Sequence, residues 1–279
     1  MKFDAHAHIN TSDIAAYPVS PVDGHLPETA LSHTFPVDAL IAAMDESGIA
    51  KALVVQRSHV YGYDNRYILA MSAAHSQRIR PLCMVDGRRP DAATQAAAVM
   101  DQGSVGIRYM EPEKGGGMDW LGGDFARDAW AAAVGKGGSI RVHFFGWNRA
   151  EGLAIIAKRL QAMPETVLVL DHLSNLDPAM GDHGVDALLR SVADHAGTYL
   201  LFSMVNLKKW SAAGIDPAPV IERVVALFGA DRVLWGSDVG NTLGGYGDMI
   251  TRSEAACSGI SEADREWVFQ KTAAKVYAR

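Results

Sequence analysis

Asp4-Ala5-His6-Ala7-His8 places a carboxylate and two imidazoles at alternate positions near the start of the chain. In an extended segment side chains alternate with period two, so Asp4, His6 and His8 are expected on one face. A pair of imidazoles one above the other is what a first-row divalent ion takes. Three more residues of this chemistry end apolar runs: His143 in RVHFF, His172 in LVLDHLS and Asp238 in LWGSDVG. A carboxylate among imidazoles can ligate a metal, or it can take a proton from water as a general base. A lone His-x-His is more often a packing or surface pair. Four ligand-type residues at the ends of four runs are much harder to assign to chance.

Those run ends need a scaffold that gathers them. Eight short apolar runs alternate with helical patterns: Phe3–Ile9, Lys51–Gln56, Arg80–Val85, Val105–Met110, Ser139–Phe145, Val167–His172, Thr198–Met204 and Arg232–Asp238. Their near-continuous hydrophobicity suits parallel strands covered on both faces. Between them, Pro36–Gly48, Asn148–Met163, Gly184–Gly197 and Pro217–Gly229 carry apolar residues at helical spacing, bounded by proline or glycine. Ser261 with Asp264 resembles a capping box for the last helix. The alternation predicts an α/β chain folded as a single (β/α)8 TIM barrel over residues 1–279, whose strand C-terminal ends form the active-site face. An open doubly wound sheet is the competing arrangement; it is disfavoured because no G-x-G-x-x-G follows the first strand. Asn10–Phe35, with Pro18, Pro21 and Pro27, is a long loop and a lid candidate; Glu111–Gly123 is a second long loop.

Composition narrows the partners. The net charge is −6 with no block of lysine or arginine, so no electrostatic footprint for nucleic acid or an anionic membrane is present. No apolar run approaches the ~20 residues that span a bilayer. MKFDAHAHIN offers charged and polar residues where a signal peptide has an apolar stretch, so a cytoplasmic location is expected. Only Cys83 and Cys257 are present, far apart, which argues against a disulfide framework or a thiolate zinc cluster. The expected partner is a small-molecule substrate, with a homo-oligomer left open.

With D-x-H-x-H on strand one, histidines ending strands five and six, and Gly236-Ser237-Asp238 on strand eight, the chain resembles the amidohydrolase superfamily in its amidohydrolase-2 branch. The likeness runs over essentially the whole chain. It includes Gly106-Ile107-Arg108, Asp171-His172, the stretch from Phe228 to Asp238, and Ala273-Ala274-Lys275-Val276-Tyr277. Val54-Val55-Gln56 followed by Tyr61-Gly62-Tyr63-Asp64-Asn65-Arg66 is similar to the pyrone-dicarboxylate and sugar lactonases. The resemblance implies one divalent ion, zinc or manganese, held by His6, His8, His143 and Asp238, with His172 beside it. Metal-free operation, known in the lactonase subgroup, stays open. A two-metal site would need a modified lysine on strand four, where this chain has Arg108.

The implied function is a hydrolase that opens a lactone or similar cyclic ester bearing a carboxylate. Asp238 is the expected base and His172 a catalytic partner; Asp4 is expected a layer deeper as a structural carboxylate. A metal-dependent decarboxylase of an aromatic or unsaturated acid is the alternative within the branch. Arg108 could pair with a substrate carboxylate. Ser58, His59, Tyr61 and Arg66, after strand two, are further substrate-binding candidates, and Lys208 or Lys209 could hold an anion. Related lactonases follow Asp-His with a Gly-Arg-Pro-like stretch. Here Ser174-Asn175-Leu176 follows, so the resemblance supplies no cationic anchor for a second carboxylate.

Overall fold

The eight apolar runs become eight strands, each within two residues of its expected bounds. They are β1 Lys2–Ala7, β2 Ile49–Val55, β3 Ile79–Met84, β4 Gly106–Met110, β5 Ser139–His143, β6 Leu168–Leu170, β7 Thr198–Ser203 and β8 Val233–Gly236. In this computed structural model, which describes residues 1–26 and 28–277, they form one sheet in sequence order with every paired neighbour parallel. Pro27 of the long loop and the last two residues, 278 and 279, lie outside the described residues. The ring closes between the ends of β8 and β1: Asp238 N–H donates to His6 O at 2.7 Å, and His8 N–H to Val239 O at 2.8 Å. The fold is a (β/α)8 TIM barrel, and the residues that close it belong to the expected site.

Each strand is buried on both sides, which is why the runs read as continuously apolar. Ala5, Leu53, Val55, Leu82, Leu201 and Leu234 fill the barrel interior. Their outward neighbours, among them Val54, Ile140, Leu200 and Trp235, pack on the helix layer through Leu40, Ile68, Trp130 and Val224. The helices start and stop where local chemistry dictates. Pro36 precedes helix Val37–Glu46, and Gly48 at φ +67° takes the left-handed turn after it. Asp216 caps helix Pro217–Phe228 by accepting from Ala218 N–H, and Ser261 caps Glu262–Glu266 by accepting from Asp264 N–H. The helix expected over Gly184–Gly197 is shorter, Ala187–Ala193, because the Asp186 carboxylate accepts from Leu189 N–H and sets the start. Among the described residues no helix is long and apolar enough to cross a membrane.

Between β1 and helix Val37–Glu46 the long loop holds one helical turn, Thr29–Ser32. It docks on the segment after β2, beside the barrel mouth: Ser20 N–H donates to Val60 O at 2.7 Å and Val22 N–H to Ser58 O at 3.0 Å. Gly62 permits this approach, since a Cβ there would sit 2.4 Å from Ser20 O.

Candidate functional site

On β1 the alternation breaks. Asp4 pairs with Ala52 but Ala7 pairs with Val54, so β1 spends three steps against two on β2. That is a bulge, and it re-aims side chains. Ala5 joins the barrel interior, His6 and His8 also turn inward, and Asp4 turns the other way. The Asp4 carboxylate accepts from His6 N–H at 3.0 Å, Ser237 N–H at 2.9 Å, Ser237 Oγ–H and Tyr246 O–H at 2.6 Å. The expectation that Asp4 shares the histidines' face is therefore corrected. Burial pushes its carboxyl pKa up against those donors, and its work is to lock β1 to β8 and to helix Tyr246–Ala256.

Inside the mouth, His6, His8 and Asp238 converge. His6 Nε2 lies 3.0 Å from His8 Nε2, and Asp238 Oδ1 is 3.6 Å and 3.3 Å from those two atoms. Gly236 makes room, because a Cβ there would lie 2.4 Å from His6 Cβ. Asp238 itself is left-handed at φ +62°, a costly conformation for a residue with a side chain. Thr242 and Asn241 hold it there: their N–H groups donate to its carbonyl at 2.8 and 3.2 Å, and Thr242 O–H (2.6 Å) and Asn241 Nδ2 (3.1 Å) donate to Oδ2. Oδ1 is left facing the histidines. Burial alone would raise the Asp238 pKa; the contact with His8 and the neighbouring imidazoles overcome it and hold the group well below the usual carboxylate range.

The spacing fits a divalent ion. Ligands about 2.1 Å from one ion stand roughly 3.0–3.4 Å apart in octahedral or tetrahedral arrangements, close to the distances here. His8 is in a fitting tautomer, since its Nδ1 lies 2.8 Å from Val55 O and leaves Nε2 free. His6 Nδ1 lies 2.7 Å from Arg141 Nη2 and 3.5 Å from Asp171 Oδ1. Because a guanidinium only donates, Nδ1 accepts from Arg141 and the His6 proton sits on Nε2, so His6 would become a ligand only with that proton moved to Nδ1, facing Asp171, and Arg141 Nη2 turned aside. Asp171 and His172 also come within ligand range of His6. Asp171 makes a poor ligand because both its oxygens are already taken by arginines.

Those arginines form the floor of the site. Asp171 accepts from Arg108 Nε at 2.8 Å and from Arg141 Nε, while Arg141 Nη1 donates to Ala5 O at 2.8 Å. Burial opposes ionisation of Asp171, but the two guanidinium groups hold its pKa well down. From His172 the chain then runs left-handed through Asn175, with φ of +49°, +52°, +54° and +49°. Such a turn costs roughly 1–2 kcal/mol per residue and needs outside support. Asn206 Nδ2 donates to His172 O at 2.9 Å, and Ser203 Oγ sits 2.7 Å from His172 Nδ1. Ser203 Oγ accepts from Val205 N–H and keeps its own proton to donate to that Nδ1; with that donation made, the imidazole carries its proton on Nε2. Lys209 braces the turn through Asn175 Oδ1 at 3.0 Å, and Lys208 donates to Leu243 O at 2.8 Å. Neither lysine lines the cleft.

Burial lowers the pKa of His172 to about 4, and those of His6 and His143 well below 6.5. In the unfolded chain these imidazoles would titrate near 6.5, so between pH 6.5 and 4 the unfolded state binds more protons and stability rises with pH. His172 alone accounts for about 3 kcal/mol across that interval. Metal-stripped protein is thus expected to lose stability as the pH is lowered from 7 to 4.5. Urea midpoints at the two pH values measure this, and equal midpoints would show that the histidines are not buried neutral.

A cavity of about 190 Å³ opens above these groups, lined by His8, Arg108, His143, His172 and Asp238 together with Ser58. A roomier concavity of about 480 Å³ lies at the start of β1 around Lys2 and Glu254. Its charged groups are half-exposed surface pairs, so the chemistry belongs to the smaller one. Of the expected residues, His143 reaches this wall but not the ligand cluster: its ring packs 5.0 Å from His172 and 4.7 Å from Phe145, and Nδ1 has no partner among the described residues. Two substrate-binding expectations are corrected. Arg66 stays outside, because Asp64 draws it into a fork at 2.6–3.0 Å on the surface. Tyr61 is buried beside Tyr67 and spends its hydroxyl on Thr11 N–H at 2.9 Å, holding the long loop. Arg57, His59 and Asn241 also line the cavity. Arg57 was missed because, one residue past β2, its direction is set by a turn and not by strand periodicity.

Comparison with known proteins gives the family and the fold. A family model described as amidohydrolase matches residues 3–279. The L-fucono-1,5-lactonase of Burkholderia ambifaria is 24% identical over 292 residues, covering 99% of this chain and 95% of the relative. Among solved structures, a probable 2-pyrone-4,6-dicarboxylic acid hydrolase from Acinetobacter baumannii with citric acid bound superposes with a TM-score of 0.75 at 16% identity, covering 100% and 99% of the two chains. An amidohydrolase from Burkholderia multivorans with bound zinc gives 0.73 at 18% identity and the same coverage.

Proposed function

The chain belongs to the amidohydrolase family, and on that premise we propose that it is a hydrolase opening a lactone or similar cyclic ester that carries a carboxylate. One observation carries the reading: Asp238 is pinned by Thr242 and Asn241 through Oδ2, with Oδ1 turned to the histidines at the cavity wall. A carboxylate so held is ionised, and its Oδ1 is the proton acceptor offered to a water on that side, which an ion on the histidines would make acidic enough to release its proton. The activated water attacks the lactone carbonyl. His172, with its proton on Nε2, is placed to donate to the developing oxyanion. Asp238 then returns the proton to the leaving ring oxygen, which leaves a hydroxy acid. His6, His8 and Asp238, with His143 as a fourth candidate, would hold a divalent ion; when bound it supplies Lewis acidity to the water and the carbonyl. The lactonase and pyrone-hydrolase names of the similar proteins support the substrate class.

The test is base uptake in a pH-indicator assay over a panel of lactones with and without carboxylates, run beside carbon dioxide release from aromatic and unsaturated acids. Acid production from lactones is the expected result. Carbon dioxide release with no lactone turnover would replace the reading with the decarboxylase alternative. For the metal, His8→Ala is expected to lower bound zinc or manganese at least about ten-fold, with a parallel loss of turnover and an unchanged circular dichroism spectrum. A variant with full metal content by elemental analysis would remove His8 from the ligand set.

A further inference from the structure

Among the described residues five arginines are buried: Arg57, Arg108, Arg141, Arg149 and Arg159. Four of them have partners. Arg108 and Arg141 share Asp171, Arg149 pairs with Asp186, and Arg159 donates to the carbonyls of Leu121 and Gly123. Arg57 differs. It is 7% exposed, its Nε and Nη1 are buried without a hydrogen-bond partner among the described residues, and the Asp238 carboxylate acts on it without forming an ion pair within 4.0 Å. A buried guanidinium left unpaired is costly, and folded proteins balance such a charge or bring an anion to it.

Its place says which anion. Arg57 lines the same cavity as Asp238, on the segment that follows β2. Arg108, which the sequence suggested for a substrate carboxylate, has already given its Nε to Asp171. The N–H donors on Nε and Nη1 of Arg57 are uncommitted, and a guanidinium matches the planar, bidentate geometry of a carboxylate. We propose that Arg57 receives a carboxylate carried by the intact substrate, which makes the substrate class an anionic ring bound with its carbonyl towards Asp238. This rests on the lactone-hydrolase reading for the reacting ring, but the anion site can be tested without it.

The probes are 2-furoate, a planar ring bearing a carboxylate that the enzyme cannot open, and its neutral counterpart 2-furamide. Both are titrated calorimetrically into the metal-loaded protein as purified and into Arg57→Gln and Arg57→Lys. Furoate is expected to bind wild type more tightly than furamide and to lose about ten-fold or more in Arg57→Gln, with furamide much less affected. Arg57→Lys keeps the charge without the fork and should recover part of the affinity. Thermal unfolding supplies a second readout: without ligand, Arg57→Gln should melt no lower than wild type, and furoate should raise the midpoint of wild type only. Equal furoate binding by wild type and Arg57→Gln, or furoate binding no better than furamide, overturns the proposal. The carboxylate created by ring opening is separated kinetically. If Arg57→Gln weakens only inhibition by the hydroxy-acid product and leaves KM for a lactone carboxylate unchanged, the proposal also fails. Arg57-dependent furoate binding with no lactone hydrolysed would instead sink the hydrolase reading and leave the anion site standing.

Discussion

Asp238→Asn is expected to lower kcat by about 10²–10⁴-fold while the protein stays folded and still binds substrate. Asparagine suits this position, because it tolerates the left-handed conformation at φ +62° better than other side chains with a Cβ. It also keeps one oxygen to accept from Thr242 O–H. What it lacks is the capacity to take a proton from water and return it to the leaving oxygen. The loss is predicted with or without a bound ion, since both hydrolytic routes need a base at this point. Turnover on a confirmed substrate, circular dichroism and a binding titration together make the measurement. Retention of more than about a tenth of wild-type turnover would move the base elsewhere, with His172 the next candidate.

The second large effect concerns stability. Asp171→Asn removes the only negative charge from a buried trio in which Arg108 and Arg141 converge, all three side chains being at most 5% exposed. Breaking a buried pair by removing one partner typically costs about 3–5 kcal/mol, because the remaining charge is left unbalanced. Here two guanidinium groups are left facing each other. For a chain of this size that corresponds to a fall in thermal midpoint on the order of 10 °C. Activity should fall as well, since His172 follows directly and its left-handed turn starts from this anchor. Denaturant unfolding checks the figure, and a loss under about 1 kcal/mol would mean that the trio is not buried as described. Exposed pairs such as Arg127 with Asp124 should show no comparable effect, because water screens them.

The outcomes at Asp4, Arg66 and Arg57 mark where reading a sequence stops. The barrel was legible because eight apolar runs alternate with capped helices, and both signals are local: side-chain burial repeats along a strand, and proline, glycine and aspartate act within a few residues of a helix end. The identity of His6, His8, His172 and Asp238 as a group was legible because the ends of barrel strands meet at one mouth. A β-bulge is not local in that sense. It arises from how β1 must register against β2 and β8 to close the ring, and it sent Asp4 to Tyr246, 242 positions away. Arg66 and Arg57 look alike in sequence, yet Asp64 two residues away captures Arg66, whereas the turn after β2 buries Arg57 in the cavity wall.

Element type, strand order and the chemical inventory of the mouth were determined by the sequence alone, because they depend on periodicity and residue type. That a bulge turns Asp4 off the histidines' face, that Asp171 is bound by two arginines 63 and 30 positions away, and that Arg57 Nε and Nη1 have no partner among the described residues were decided only by the tertiary structure. Charge pairing inside a barrel is settled by which side chains closure brings within about 3 Å, and sequence separation carries no information about that distance.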